Sequence, residues 1–294
     1  MYVPIFSSRS EVVEIRGIPH HFRHWGTPDA PLLFALHGWM DVSASFQFLA
    51  DHLATRWHIV SPDWRGFGLT GPTGDDCYEF TDYLGDLDAM LRHFSPNAPV
   101  ALLGHSMGGN IGMLYAGVRP ERVTAMVNLE GLGLPGIPAE EVPARLRLWL
   151  DELVEGASLK EYPSLEAVET RLRKLNPRLT AERAAFLAAH WAVREGKRWR
   201  LLADPAHKII NRVAYRVDEV QACWRAIEAP VLWVEADDSD IRRRMLAVPD
   251  YEQRLEAVRR LERVLVEDAG HMLHHDQPGQ VGQLVADFLG TGGR

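Results

Sequence analysis

A serine stands between two glycines in Gly104-His105-Ser106-Met107-Gly108, directly after the apolar run Val100-Ala101-Leu102-Leu103 and before a stretch with helical spacing. A serine hydroxyl is a weak nucleophile at neutral pH and needs a base to take its proton. Strand, sharp turn and helix, in that order, present such a serine at the carboxyl end of the strand, with glycines where any Cβ would collide as strand and helix close in. The free N–H groups at the helix start then face the place where negative charge develops on a carbonyl oxygen, Met107 N–H foremost. The chemistry implied is attack by Ser106 on an acyl carbon. The bland alternative is a serine in a tight strand-to-helix turn.

The base must come from thirteen histidines. His271, in Ala269-Gly270-His271, follows the last apolar run, Val264-Leu265-Val266, and is the leading candidate. His105 and His37 read as packing or bracing residues. His271, His275 and Asp276 imitate metal-ligand spacing, but His274 and His275 lie at the lead-in to the last helix, so no metal is expected. An acid should orient the base and stabilise its cation. Glu130 ends a buried apolar run, 123–129, where an unpaired charge is costly and His271 would supply the partner. Asp240 and Asp238, after the run Val231–Val234, are the alternatives. Gly131-Leu132-Gly133-Leu134-Pro135-Gly136 spells a dinucleotide motif, but Pro135, Gly136 and Pro138 argue for a loop where that motif needs a helix.

The elements that must position these residues alternate. Residues 11–25 read as two short strands meeting near Gly17. Continuous apolar runs at 32–36, 58–60, 100–103, 123–129, 231–234 and 264–266 suit strands covered on both faces. Helical patterns lie between them, with Ser43 as a cap for one carrying Phe46, Leu49 and Leu53, and others at 80–94, 108–118 and 280–289. The alternation predicts an α/β fold with a mostly parallel sheet. Residues 134–227 break it: three helical stretches at 145–154, 165–175 and 181–193, punctuated by prolines, and no strand run. Trp149, Trp191, Trp199 and Trp224 there either pack between helices or line an apolar pocket.

His37-Gly38-Trp39, Asp63-Trp64-Arg65-Gly66-Phe67-Gly68, Gly104 to Gly109 and Gly270-His271 resemble the ordered landmarks of the α/β-hydrolase family. His37-Gly38-Trp39-Met40-Asp41 followed by Ser43-Ala44-Ser45-Phe46 looks most like its serine hydrolase-like subgroup. The resemblance implies an eight-stranded sheet with helices on both faces, a core at 1–133 and 228–294, and a helical cap at 134–227. It places the histidine last in chain order, supporting His271, and the second oxyanion donor at the backbone N–H of Trp39. The family pattern sets glycine six residues and the acid nine residues after a proline; counted from Pro230, these positions hold Ala236 and Ser239, with Asp238 and Asp240 on either side. Some members instead carry the acid at the position of Glu130. A serine nucleophile disfavours halide and epoxide chemistry, which needs a carboxylate at 106. The expected activity is hydrolysis of a carboxylic ester or related acyl compound without a cofactor. Thioester, amide or carbon–carbon bond hydrolysis on the same residues, and a non-catalytic binding protein, are the rivals.

Composition sets outer bounds. The 294 residues are 46% hydrophobic and 24% charged, an ordinary globular balance. The net charge of −8 speaks against nucleic acid as a partner. Cys77 and Cys223 have no metal or redox spacing and read as free thiols. Residues 1–10 lack a signal-peptide pattern and no apolar stretch is long enough to span a membrane, so a cytoplasmic protein acting on a small-molecule acyl substrate is expected.

Overall fold

The computed structural model describes residues 2–290. Its strands are β1 (Arg9–Ile15), β2 (Ile18–Trp25), β3 (Leu32–Leu36), β4 (His58–Pro62), β5 (Val100–His105), β6 (Val123–Leu129), β7 (Glu161–Tyr162), β8 (Ala192–Glu195), β9 (Arg198–Leu201), β10 (Val231–Ala236) and β11 (Leu261–Val266). The helices are α1 (Gln47–Leu53), α2 (Phe80–Phe94), α3 (Met107–Val118), α4 (Val142–Glu155), α5 (Leu165–Leu175), α6 (Ala181–Trp191), α7 (Val217–Arg225), α8 (Asp240–Leu246), α9 (Tyr251–Leu255), α10 (Leu273–Asp276) and α11 (Pro278–Gly290). Among the described residues, eight strands form one sheet in the order β1-β2-β4-β3-β5-β6-β10-β11. The β1–β2 and β2–β4 pairs are antiparallel, and every pair from β4 to β11 is parallel.

The inner apolar runs make this sheet because both faces are covered; the run at 264–266, expected to be covered likewise, lies in edge strand β11, where Leu265 is 45% exposed. In β3, Phe34 and Leu36 point into one core with Leu102, Met126 and Trp233, packed by Leu87 and Met90 of α2 and Ile111 of α3. Leu33 and Ala35 point the other way, with Leu103, Val127 and Val234, under Leu49 and Leu53 of α1 and Val281 and Val285 of α11. Side chains alternate across a strand, so a run apolar at every position is one that buries both faces. Each fully buried Leu, Val or Phe contributes about 1.5–3 kcal/mol.

Two local expectations fail. Ser43 does not cap α1: Val42 precedes a single 3₁₀ turn (Ser43–Phe46) that leads into the helix. The Ser43 N–H is held instead by Asp63 Oδ1 at 2.7 Å. Within 134–227 the chain is not helices alone. β7, β9 and β8 form a separate antiparallel sheet there. These strands are two to four residues long and rich in charge (Arg194, Glu195, Arg198, Arg200), so they carry no apolar periodicity to read. α6 ends at Trp191 where β8 begins, and α7 adds a helix that the spacing did not reveal. The segment's own small core joins Val168 and Leu172 of α5 to Ala184 and Leu187 of α6, and takes in Phe48 from α1. Trp224 packs against Trp233 of β10, ring centroids 5.6 Å apart.

Candidate active site

The turn at Ser106 joins the middle of the sheet to α3. Its backbone sits at φ 50° and ψ −114°. The flanking glycines are required by close approach: a Cβ on Gly104 would lie 2.4 Å from the Gly108 carbonyl oxygen, and one on Gly108 only 2.1 Å from that of Leu36. Met107 opens α3, so its N–H has no carbonyl one turn back to bond. It points from the positive end of the helix dipole.

β6 lies beside β5 and β10 beside β6, so their carboxyl ends meet next to Ser106. The Ser106 N–H donates to Leu129 O at 2.9 Å, and the Glu130 N–H to Val234 O at 2.9 Å. Asn128 clamps the turn that follows, accepting from Gly131 N–H at 2.8 Å and donating to Gly131 O at 2.9 Å. Glu130 turns off the strand with φ 56°, its side chain fully buried. His271, from the loop after β11, has Nε2 3.0 Å from Ser106 Oγ and Nδ1 3.2 Å from Glu130 Oε2. With the carboxylate as acceptor, Nδ1 carries the proton and Nε2 presents a lone pair to the serine hydroxyl. Glu130 also accepts Ala236 N–H on Oε1 at 2.7 Å and the Ser239 hydroxyl on Oε2 at 2.5 Å.

The other two candidate acids lie elsewhere. Asp238 is paired with Arg178 at 2.7 Å and Arg243 at 2.8 Å, with its side chain 51% exposed. Asp240 pairs with Arg243 and is 76% exposed. Hydrogen bonds from Arg243 and Arg178 hold the Asp238 carboxyl below the usual range. Nearby, Asp237 accepts the N–H groups of Asp268 and Ala269 at 3.1 Å each, tying this loop to the one that carries His271. Ser239 is the residue that sequence reasoning passed over. It occupies the counted acid position, is fully buried, and reaches Glu130 as a donor. The count marked the position; nothing in the sequence marked the donor.

Two further histidines brace the site. His37 Nδ1 faces Gly38 O at 2.8 Å and Nε2 accepts the Trp64 N–H at 3.0 Å; burial lowers its pKa to about 4. His105 Nε2 faces the carbonyl of His271 at 2.8 Å, and burial holds it well below the ordinary value, with the neighbouring His271 adding to the effect. Both rings are therefore neutral at pH 7. The metal-like trio does not assemble: Asp276 accepts Gly270 N–H at 2.9 Å and Asn176 at 2.6 Å instead. A different group does cluster, Asp41 with His105 and His274, whose ligand atoms lie within 4.8 Å of one another among the described residues. Asp41 accepts Val42 N–H at 2.8 Å and the Ser45 hydroxyl. Burial raises its pKa to about 7.

A cavity of about 280 Å³ opens above Ser106, bounded by Trp39, Tyr78, Phe80, Asn110, Leu134 and His207. His207 stacks between Phe67 and Tyr78 at 3.6 and 3.9 Å. Trp39 donates from Nε1 to His207 O at 3.3 Å, joining the 37–40 loop to the 134–227 segment. The glycine-rich stretch after Glu130 is a loop, with Gly133 N–H held by Asn110 Oδ1 at 2.9 Å. Asp63, kept ionised by His21 against the pull of burial, abuts Gly68 and shapes the turn behind Trp39. Among the described residues no helix is long and apolar enough to cross a membrane.

A model of the alpha/beta hydrolase fold matches residues 31–278. The chain is 26% identical over 275 residues to a serine hydrolase-like protein of Danio rerio, covering 90% of this chain and 83% of the relative. It is 28% identical over 232 residues to a 2-(acetamidomethylene)succinate hydrolase of Mesorhizobium japonicum, with 79% of each covered. The crystal structure of a hypothetical protein from Pseudomonas aeruginosa PAO1 superposes with a TM-score of 0.85 at 26% identity, over 96% of this chain and 99% of that one. A sheet with this strand order, a serine at the strand-to-helix turn beyond its fifth strand, and a family match across most of the length agree: the chain belongs to the α/β-hydrolase fold family.

Proposed function

We propose that the protein is a serine hydrolase of a carboxylic ester or closely related acyl compound, with Ser106, His271 and Glu130 as its catalytic triad. One observation carries this reading: an unbroken hydrogen-bonded line, Ser106 Oγ to His271 to Glu130, at the floor of the cavity. Ser106 attacks the carbonyl carbon as His271 Nε2 takes its proton. The N–H groups of Met107 and Trp39 receive the oxyanion. His271 then gives the proton to the leaving alkoxide, and water repeats the two steps on the acyl-enzyme to release the acid. Glu130 accepts from Nδ1–H and stabilises the imidazolium, while the Ser239 hydroxyl and the Ala236 N–H hold its carboxylate in position. Side chains, main-chain donors and water supply every step.

Residues 134–227 serve as the cap: Leu134, Ala206, His207, Ile209 and Asn211 form the wall of the cavity opposite the sheet. One named relative is serine hydrolase-like and another is a 2-(acetamidomethylene)succinate hydrolase, which suits a small-molecule acyl substrate. Free Cys77 and Cys223 suit a reducing compartment such as the cytoplasm. A fluorophosphonate probe tests the assignment. It labels wild type and leaves Ser106→Ala unlabelled; an unlabelled wild type, or equal labelling of both, refutes it. An ester panel run with the same pair of proteins separates ester from thioester and amide preference.

A further inference from the structure

A second cavity, of about 340 Å³, borders the one above the serine. The two share Trp39 as a wall, and Met272, next to the proposed base, lines the second one. Most of its lining is apolar, from Leu159, Leu172, Leu179, Leu187, Leu201 and Trp191. Three cations, Lys160, Arg171 and Lys208, complete it, and no carboxylate does. That local balance runs against a chain whose net charge is −8.

The polar groups in this cavity are only partly employed. Lys160 and Arg171 lie over the Tyr162 ring at 5.7 and 6.0 Å, and Lys208 Nζ donates once, to Ser158 O at 2.8 Å. Arg171 Nε and Tyr162 Oη are buried without a hydrogen-bond partner; Tyr162 is 96% covered, with a relative exposure of 4%. A buried donor left unpaired is costly, and a ligand carboxylate would satisfy both of these. An ammonium has three donors, so Lys160 and Lys208 retain capacity for an anion. Apolar walls with a few convergent polar groups are the general form of a small-ligand site, and about 340 Å³ is within the usual range for one.

We infer that this cavity binds the distal end of the substrate, and that this end is a carboxylate on an apolar arm: the preferred substrate is a half-ester or related half-acyl derivative of a dicarboxylic acid. The arm passes Trp39, which lines both cavities, and lies against the leucines, and the far carboxylate meets Arg171, Tyr162 and the two lysines. The inference rests on the serine hydrolase reading above.

The test compares mono-p-nitrophenyl esters of adipic, suberic and sebacic acids with p-nitrophenyl esters of the monocarboxylic acids of matching length. Exposed charge pairs are individually worth up to about fivefold in binding, so three cations together should favour the anionic ester by about tenfold in kcat/KM. Raising ionic strength from about 0.1 to 1 M, which shortens the screening length from about 10 to 3 Å, should shrink that ratio. Lys160→Met with Lys208→Met should reduce it as well, as should Arg171→Met. The two lysines are exposed, so their replacement leaves the fold in place even if Arg171→Met does not. Equal or better hydrolysis of the neutral esters, or a ratio untouched by the lysine pair, overturns the inference. Fluorophosphonate labelling of the same samples keeps the two readings apart. Labelled enzyme without anionic preference removes only this one, and absence of labelling removes both.

Discussion

Two neighbouring strands, β6 and β10, each end in acidic residues, and the two ends are unlike. At the end of β6, Glu130 is wholly buried and accepts from a main-chain N–H, a serine hydroxyl and a histidine. After β10, Asp238 and Asp240 are more than half exposed and paired with arginines that also face water. A carboxylate in the first setting is held by three donors away from water, where charge is little screened. In the second it is screened by solvent, and its ion pairs contribute little. All three side chains are carboxylates; their surroundings distinguish the one that His271 reaches. Ser239 shows the division of labour. It belongs to the β10 end, yet it serves the carboxylate of β6.

The comparison breaks most sharply on Glu130. Glu130→Gln should leave binding nearly intact and lower kcat by about 10³–10⁴, the scale seen when a triad carboxylate becomes an amide. Retention of more than about a tenth of the activity in steady-state assays would move the acid away from β6. In that background, Ser239→Asp puts a carboxylate where the hydroxyl now meets Glu130, and should recover at least about tenfold of the lost rate. No recovery would mean that the β10 end is too far from Nδ1 to substitute. The smallest effects belong to the exposed pair. Asp238→Asn and Asp240→Asn should each keep kcat within about twofold and leave the chemical-denaturation midpoint nearly unchanged, any small shift being diminished by salt. A hundredfold loss of turnover in either would reverse the ranking of the two strand ends.

The sheet was legible because it is buried on both faces. Runs such as 32–36 and 123–129 have no polar side to mimic a helix, and the alternation with 80–94 and 108–118 fixed the class. The small sheet of β7, β8 and β9 was not legible, since two to four charged residues leave no period. The turn at Ser106 could be read locally because strand, glycines and helix are contiguous. The environment of Glu130 could not. Its partners at 236, 239 and 271 are over a hundred residues away, and only the order β5-β6-β10-β11 brings them to one place. Of the arginines that pair with Asp238, Arg243 is only five residues on, while Arg178 arrives from sixty residues earlier, out of the turn between α5 and α6. Sequence spacing names candidates within a loop; it does not show which neighbour neutralises them.

The left-handed backbone at position 106 has a consequence for how such a protein changes over generations. A non-glycine residue held there costs about 1–3 kcal/mol, so Ser106→Gly should melt at a higher temperature than wild type in scanning calorimetry while losing all turnover. A lower melting temperature would show that the serine side chain repays its own conformation. Selection for heat resistance alone would then drive this chain away from its hydroxyl. Laboratory evolution toward robustness therefore needs a functional screen at every round, or it discards the proposed nucleophile first.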